Sequence, residues 1–168
     1  MGYAAVKKKG FLLVTVLLLT VVLITAGLAF LGKRAVQYRR AALLEASSQA
    51  RALAEAGLED AMIKFRRDLE FPPLSLDQSE FTYTESFQDA DGDTLGYYTV
   101  TIDGSYRDPP YLFLIVSAEG RVGADPIKPL ASRTLRVEID LDLFAAGAPD
   151  TFNPYFRAVR NFEDLGGI

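Results

Sequence analysis

Two residue types that enzymes often use as bases and nucleophiles, histidine and cysteine, are missing from this chain. The sequence contains no histidine and no cysteine, so Ser–His and Cys–His arrangements cannot form and zinc sites of the usual kind are not expected. Lys128 is the only lysine beyond residue 69, which leaves few partners for a Ser–Lys dyad. The carboxylates form no distinctive pair, and no glycine-rich phosphate loop is recognisable. We therefore expect no enzymatic activity.

One acidic segment, residues 89–94 (DADGDT), has the spacing of a metal-binding loop. Asp89, Asp91 and Asp93 stand on alternate residues and could supply the hard oxygen ligands that calcium prefers. The segment is not an EF-hand loop, because Gly92 is its fourth residue rather than its sixth and Val100 is its twelfth. The alternative is an acidic hairpin turn with Asp91-Gly92 at its tip. Beyond this calcium site we expect no cofactor.

The net charge of -4 is divided unevenly along the chain. Residues 1–69 carry eleven Lys and Arg against five Asp and Glu, whereas residues 70–168 carry seven against seventeen. The basic half can face phospholipid headgroups, and the acidic half would repel a phosphate backbone. We therefore expect no direct nucleic-acid binding by the distal part of the chain.

An apolar segment near the N-terminus precedes the distal part of the chain and would anchor it to a membrane. Residues 11–31 (FLLVTVLLLTVVLITAGLAFL) contain no charge, and as a helix they would be about 31 Å long, which matches the hydrocarbon core of a bilayer. Lysines precede this segment and Lys and Arg follow it, so charge alone does not settle its orientation. The alternative is a secretory signal cleaved near residues 26–29 (AGLA). The apolar run exceeds the usual h-region of about 7–15 residues, which favours a retained anchor.

Beyond residue 31 a helical pattern continues. Apolar residues recur every three or four positions up to Leu69, which predicts an amphipathic helix over residues 32–69. Arg51–Glu55 and Asp60–Lys64 are expected as i,i+4 pairs on its solvent side. No proline occurs until Pro72, where the helix must stop.

The period then changes from 3.6 to 2, which predicts a sheet domain over residues 70–147. The expected strands are 81–84, 96–102, 111–117 and 134–143, the third being central because it is apolar throughout. A small antiparallel sheet of about four strands needs a cover for its apolar face, and the stripe at Leu53–Leu69 can supply it. The fold class is therefore α+β, a long N-terminal helix packed on a small antiparallel sheet. The tail, residues 148–168, has neither period and packs on the sheet or docks on a partner.

The junction at residues 7–11 (KKKGF) is more specific than a generic anchor. A basic leader ends in Gly10, Phe11 follows, and the apolar helix begins at once. This resembles the class III signal of type IV pilin-like proteins, in which a prepilin peptidase cuts after the glycine on the cytoplasmic side and methylates the new amino terminus. The resemblance implies a leader of residues 1–10, cleavage between Gly10 and Phe11, N-methylation of Phe11, and a pilin-like architecture.

Thr15 departs from the major pilins, which carry Glu at this position. A buried carboxylate costs roughly 2.5–3.5 kcal/mol in a bilayer, and in the family it is thought to pair with a neighbour's amino terminus. A neutral residue here resembles the K-type pseudopilins and the PilX-type minor pilins. The resemblance implies that the helix packs against neighbouring subunits in a filament, through Leu13, Thr15, Val16, Leu19, Thr20 and Leu23.

Two further segments resemble the same family. Residues 50–61 (ARALAEAGLEDA) contain an A-x-x-x-A-E-A-G-like run, in which small residues would let the helix lie close against a sheet. The strand order GYYTVTI, YLFLIVSAEGRV and ASRTLRVEIDL is similar to that of PilX-type and K-type subunits.

The expected function follows from these resemblances. It is a minor pilin or pseudopilin of a type IV pilus or type II secretion system, anchored in the bacterial inner membrane with its distal domain outside the cytoplasm. It is then expected to enter a pilus or pseudopilus, at the cell surface or in the periplasm, at or near the filament tip, where it primes assembly. The implied partners are other pilins or pseudopilins, the prepilin peptidase, the inner-membrane assembly platform and the lipid bilayer. The alternative is a membrane-tethered periplasmic binding or sensor module unrelated to pili.

Overall fold

The protein folds as one long helix followed by an antiparallel sheet, so the predicted α+β class is confirmed. The computed structural model describes residues 9–68, 71–73, 79–88, 90–123, 125, 127–145 and 148–167. Helix α1 spans Lys9–Arg67 without interruption. The strands of the described residues are Glu80–Gln88 (β1), Thr94–Asp103 (β2), Phe113–Val122 (β3), Ala131–Asp140 (β4), Phe144–Ala145 (β5), Ala148–Phe152 (β6) and Val159–Gly166 (β7).

The chain divides into two compact units, Met1–Ala42 and Leu43–Ile168. In the first unit, every side chain that the structure describes is exposed. The buried hydrophobic side chains among the described residues all belong to the second unit, from Ala46 to Ile139. Among the described side chains, the hydrophobic core therefore forms without a contribution from residues 11–42.

Five strands form the main sheet in the order β1-β2-β3-β4-β7, and each neighbouring pair is antiparallel. The strand predicted to be central, β3, is the middle one. Side chains of β2, β3 and β4 alternate between buried and half-buried positions, because successive residues of a strand point to opposite faces. One face of the sheet is therefore apolar and needs a cover.

The C-terminal half of α1 covers this face. It contributes Ala54, Leu58, Ala61 and Phe65 to the main core cluster. The strands contribute the rest of that cluster, namely Tyr98, Val100, Ile102, Leu114, Val116, Ala118, Leu135, Val137 and Ile139. A smaller cluster at the other end joins Ala46, Ala50 and Leu53 of α1 to Val122 and Ala131 of the sheet.

The predicted apolar stripe is buried only from Ala46 onward. Val36 and Leu43 belong to the same periodic pattern, yet 50% and 60% of their surface is exposed. The helix ends at Arg67, and the basic residues of its last turn complement the negative end of the helix dipole. Leu69, the predicted last residue of the stripe, lies outside the described residues.

The strand count differs from the prediction of about four. The pattern-free segment 148–168 supplies β7, which pairs with β4 as a fifth strand of the sheet. Nearly every side chain of β7 is exposed, so the strand carries no alternation of buried and exposed types by which its sequence could be recognised. The predicted strand 134–143 also ends earlier, at Asp140, and Leu143 lies beyond it with 44% of its surface exposed.

Candidate membrane and assembly surface

The N-terminal half of α1 presents an uninterrupted apolar surface. Its large hydrophobic side chains between Phe11 and Leu31 keep 52–80% of their area accessible. In the part of the chain that the structure describes, α1 is the one helix long and apolar enough to cross a bilayer. Soluble monomers rarely leave so large a contiguous apolar patch in water. The helix therefore suggests a single-pass membrane anchor.

The polar groups inside this apolar surface are satisfied within the helix itself. Thr15, Thr20 and Thr25 each donate a hydroxyl hydrogen bond to a backbone carbonyl three or four residues earlier, at oxygen–oxygen distances of 2.8–3.0 Å. An unpaired hydroxyl in hydrocarbon would cost several kcal/mol. The three threonines therefore interrupt the apolar sequence without adding unsatisfied donors.

The C-terminal edge of the apolar surface is marked by a cation–π contact. The guanidinium carbon of Arg34 lies 5.1 Å from the centroid of the Phe30 ring. Aromatic and basic residues are the pair of types that concentrate where a spanning helix meets the headgroups. This contact agrees with an end of the apolar span close to residue 31.

Phe11 and the residues predicted to pack in a filament are exposed in the single chain. Gly10 and Phe11 both lie within the helical backbone, and 80% of the Phe11 surface is accessible. No contact within the first unit covers the six residues predicted to pack in a filament, Leu13, Thr15, Val16, Leu19, Thr20 and Leu23. Cleavage, methylation and helix packing at these positions stay predictions.

Small residues bring the C-terminal half of α1 close to the sheet. Ala50, Ala54 and Ala61 have no exposed surface. A methyl group at Gly57 would lie 3.0–3.3 Å from side-chain atoms of β2 and β3, and one at Gly120 would collide with the Ala50 carbonyl oxygen. The predicted role of the small residues in segment 50–61, close approach of helix and sheet, is confirmed.

A polar cluster ties the same half of the helix to β1 and β2. The Lys64 ammonium lies 2.6 Å from Asp60 Oδ2, 2.9 Å from Glu85 Oε1 and 3.7 Å from the Tyr83 ring centroid. The Tyr83 hydroxyl donates to Asp60 Oδ2 at 2.9 Å, and the Tyr98 hydroxyl donates to Glu85 Oε2 at 3.0 Å. We call these five residues the helix–sheet clamp.

The clamp corrects one prediction from the sequence. The Asp60–Lys64 pair was expected on the solvent side of α1, but it lies at the boundary between helix and sheet, with side chains 26% and 32% exposed. The i,i+4 spacing reveals the pair, whereas Tyr83, Glu85 and Tyr98 come from distant strands and give no local signal. The Arg51–Glu55 pair does face solvent, with side chains 48% and 52% exposed.

The clamp holds its donors in their protonated forms. Burial raises the pKa of the Tyr83 hydroxyl above its ordinary value, and the hydrogen bond to Asp60 raises it further. Burial and the hydrogen bond to Glu85 raise the pKa of Tyr98 in the same way. Burial alone would lower the pKa of Lys64, but its hydrogen bonds to Asp60 and Glu85 outweigh that effect and raise it.

These shifts predict a loss of stability in alkali. Because the folded pKa values exceed the unfolded ones, the clamp's contribution is complete below the unfolded pKa near ~10 and is lost as the pH rises through the folded values. The free energy of unfolding should therefore fall progressively as the pH rises above about 10. Denaturant titrations at several pH values measure it.

The matched variant is the double substitution Tyr83→Phe with Tyr98→Phe, which keeps both rings and removes both phenols. Its stability should change less over the same pH range. An equal alkaline loss in parent and variant would assign the effect to other groups.

The calcium prediction is not tested, because one of its three residues lies outside the described residues. Asp91 and Asp93 lie in and beside the turn between β1 and β2, while Asp89 is outside the described residues. Gly92 in this turn has a φ of 89°, which only glycine adopts at no steric cost. Among the side chains that the structure describes, no three acidic residues converge as a metal site requires. The acidic turn is thus present, and calcium binding stays a prediction.

Comparison with known protein families, with curated proteins and with solved structures gives no match to this chain. What the geometry itself supports is a helix with two differently used halves. One half is apolar, exposed and of membrane-spanning length, and the other is buried against an antiparallel sheet. This combination is compatible with a membrane-anchored, pilin-like protein.

Proposed function

We propose that the chain is a minor pilin or pseudopilin of a bacterial type IV pilus or type II secretion system. It is held in the inner membrane by Phe11–Leu31 and enters a filament at or near its tip, where it primes assembly. The observation that carries the proposal is the continuity of α1 from an exposed apolar half into a half packed on the sheet. A cleaved signal or a short tether needs no such continuity.

The exposed half of the helix supplies the binding energy for assembly. Helices associate in an apolar medium through close van der Waals packing, since lipid tails are as apolar as Leu. The exposed side chains of Phe11–Leu31 offer this packing surface to other pilins or pseudopilins. The sheet unit, held to the same helix by the clamp, sets where the neighbouring distal domains meet.

The proposal for a tip position relies on Thr15. Its hydroxyl donates to the Phe11 carbonyl at 2.9 Å, so it presents no charge to a neighbouring amino terminus. A subunit without that charge can begin a filament but lacks the pairing group that the resemblance assigns to shaft subunits. The proposed partners are accordingly the prepilin peptidase, the assembly platform and subunits that do carry a carboxylate.

Processing after Gly10 is the first testable consequence. Amino-terminal mass spectrometry of the protein from cells with an active prepilin peptidase should find a mature chain that begins with N-methylated Phe11. The Gly10→Val variant should keep its leader, because a branched side chain replaces the glycine at the cut. Gly2→Val changes the same residue type elsewhere in the leader and should be processed normally.

Two outcomes would contradict the proposal. An intact Met1 in the parent protein would favour the tethered binding or sensor module, which is never processed and never enters a fibre. A chain that begins near residue 30 would indicate a removed secretory signal. Shearing cells and probing the released fibres separates the first of these from a subunit that is processed inefficiently.

A further inference from the structure

A groove opens at the end of β4, at the opposite end of the sheet from the turn between β1 and β2. Its volume is about 540 Å³, within the range of small-molecule sites. Two Pro-Tyr dipeptides line it, Pro110-Tyr111 from the turn before β3 and Pro154-Tyr155 from the turn before β7; we call them its walls. The polar lining residues, which we call its floor, are Asp140, Asp142, Asn153 and Arg160.

Both walls are fixed to the end of β4 by backbone hydrogen bonds. On one side the Leu141 N–H donates to the Leu112 carbonyl at 2.8 Å; on the other the Arg157 N–H donates to the Asp140 carbonyl at 2.8 Å. Leu112 and Arg157 both have positive φ, 52° and 61°. Non-glycine residues adopt this conformation at a cost, and such residues cluster at functional sites. The groove is therefore a preformed feature.

Both tyrosines are exposed, and neighbouring aromatic rings hold the Tyr111 ring in place. Tyr111 is 57% exposed and Tyr155 is 69% exposed. The Tyr111 ring meets Tyr106 edge to face at a centroid distance of 5.4 Å, and Tyr106 in turn stacks on Phe113 at 5.0 Å. The Tyr155 backbone N–H donates to Asn153 Oδ1 at 3.0 Å, which fixes the main chain that carries the second ring. A ring that is already ordered, as that of Tyr111 is, loses little entropy when a ligand stacks on it.

The floor is polar and carries one more carboxylate than it has cations. Arg160 Nε lies 3.7 Å from Asp140 Oδ2, which offsets one of the two carboxylates. Asp142 Oδ1 accepts the Phe144 N–H at 3.1 Å and its carbonyl accepts the buried Asn153 amide at 2.8 Å. Carboxylate oxygens have several lone pairs, so both aspartates can still accept hydroxyl hydrogen bonds.

We propose that this groove binds a neutral saccharide. The C–H face of a pyranose ring is apolar and stacks on an aromatic ring, while its edge carries hydroxyls that donate to carboxylates and accept from a guanidinium. Tyr111 and Tyr155 supply the two faces, and Asp140, Asp142 and Arg160 supply the edge contacts. The excess of carboxylates disfavours acidic sugars. A lysine or arginine side chain suits the groove less well, because Arg160 already pairs with Asp140.

Calorimetry on the full chain in lipid nanodiscs tests this proposal, since sugar-based detergents would compete. The probes are maltotetraose, cellotetraose, chitotetraose and lactose. At least one should bind, and Tyr155→Ala and Tyr111→Ala should each weaken it about tenfold, the loss expected when one stacking contact is removed. Tyr155→Phe and Tyr111→Phe keep the rings and should bind within about threefold of the parent.

The matched control is Tyr38→Ala, which removes a tyrosine that is 71% exposed but lies in the first unit. Its affinity should equal that of the parent. The proposal is overturned if none of the four glycans binds, or if affinity is unchanged in both alanine variants. Binding of a hexalysine peptide through the tyrosines, without any neutral glycan, would also overturn it. Tyr155 has the more exposed ring, so its alanine variant decides the matter if Tyr111→Ala unfolds.

Discussion

Replacing Gly120 by alanine is expected to cost about 3 kcal/mol of folding free energy, the upper end for an overpacked site. The new methyl group would collide with the Ala50 carbonyl oxygen and approach the Ala54 nitrogen at 2.5 Å and the Leu53 Cβ at 2.9 Å. Two of these three atoms are backbone, which no rotamer change can move. The helix must then lift from the sheet along the seam. Denaturant unfolding followed by tyrosine circular dichroism measures the loss.

The matched control for Gly120 is Gly32→Ala in α1. No heavy atom lies within 4 Å of a methyl group placed there, and alanine is the better helix former. The unfolding of the sheet unit should therefore stay unchanged in this variant. Near-parental stability of Gly120→Ala would mean that helix and sheet are separated more widely than described, and the close-packing account would be wrong.

Removing residues 1–42 is expected to transfer the whole protein from the membrane fraction to the soluble fraction. The described core residues begin at Ala46, so the shortened chain keeps its helix–sheet seam and the clamp. Its free energy of unfolding should lie within about 0.5 kcal/mol of the full chain, as for changes away from the core. Ultracentrifugation and denaturant titration measure the two effects separately.

A chain that lacks only residues 1–10 is the matched control, because it loses the basic leader and keeps the apolar helix. It should remain in the membrane pellet. If the chain without residues 1–42 still sediments with membranes, a second surface binds lipid. If it fails to fold, the first half of α1 contributes to the core, contrary to the division into two units.

Elements with one buried face could be predicted from the sequence. In β4, Leu135, Val137 and Ile139 alternate with charged residues, and all three are buried as predicted. In α1 the apolar stripe and the proline stop define the helix to within a few residues. The strand β7 could not be predicted, because Phe162 and Leu165 are 49% and 57% exposed. Backbone pairing with β4, and not burial of its side chains, holds this edge strand in the sheet.

The residues to which we assign a function by proposal divide in the same way. The junction of Gly10 and Phe11 is contiguous, so its pattern is visible in the sequence alone. Tyr111 and Tyr155 line the same groove only because both of their turns are hydrogen-bonded to the end of β4. Residues so far apart in the sequence produce no periodic pattern that would predict this arrangement. The repeated Pro-Tyr dipeptide is the one sequence signal that could have suggested them. Of the clamp, only the Asp60–Lys64 pair could be predicted from the sequence, through its i,i+4 spacing.

The internal bonding of Thr15, Thr20 and Thr25 has a consequence for reversibility. Each hydroxyl and its carbonyl acceptor belong to the same helix. Transfer of the helix from lipid into a bundle of neighbouring helices therefore breaks none of these hydrogen bonds. The free-energy change then reduces to the exchange of one set of dispersion contacts for another. In the proposed assembly, these three hydroxyls therefore add no desolvation cost when the helix passes between the bilayer and a fibre, in either direction.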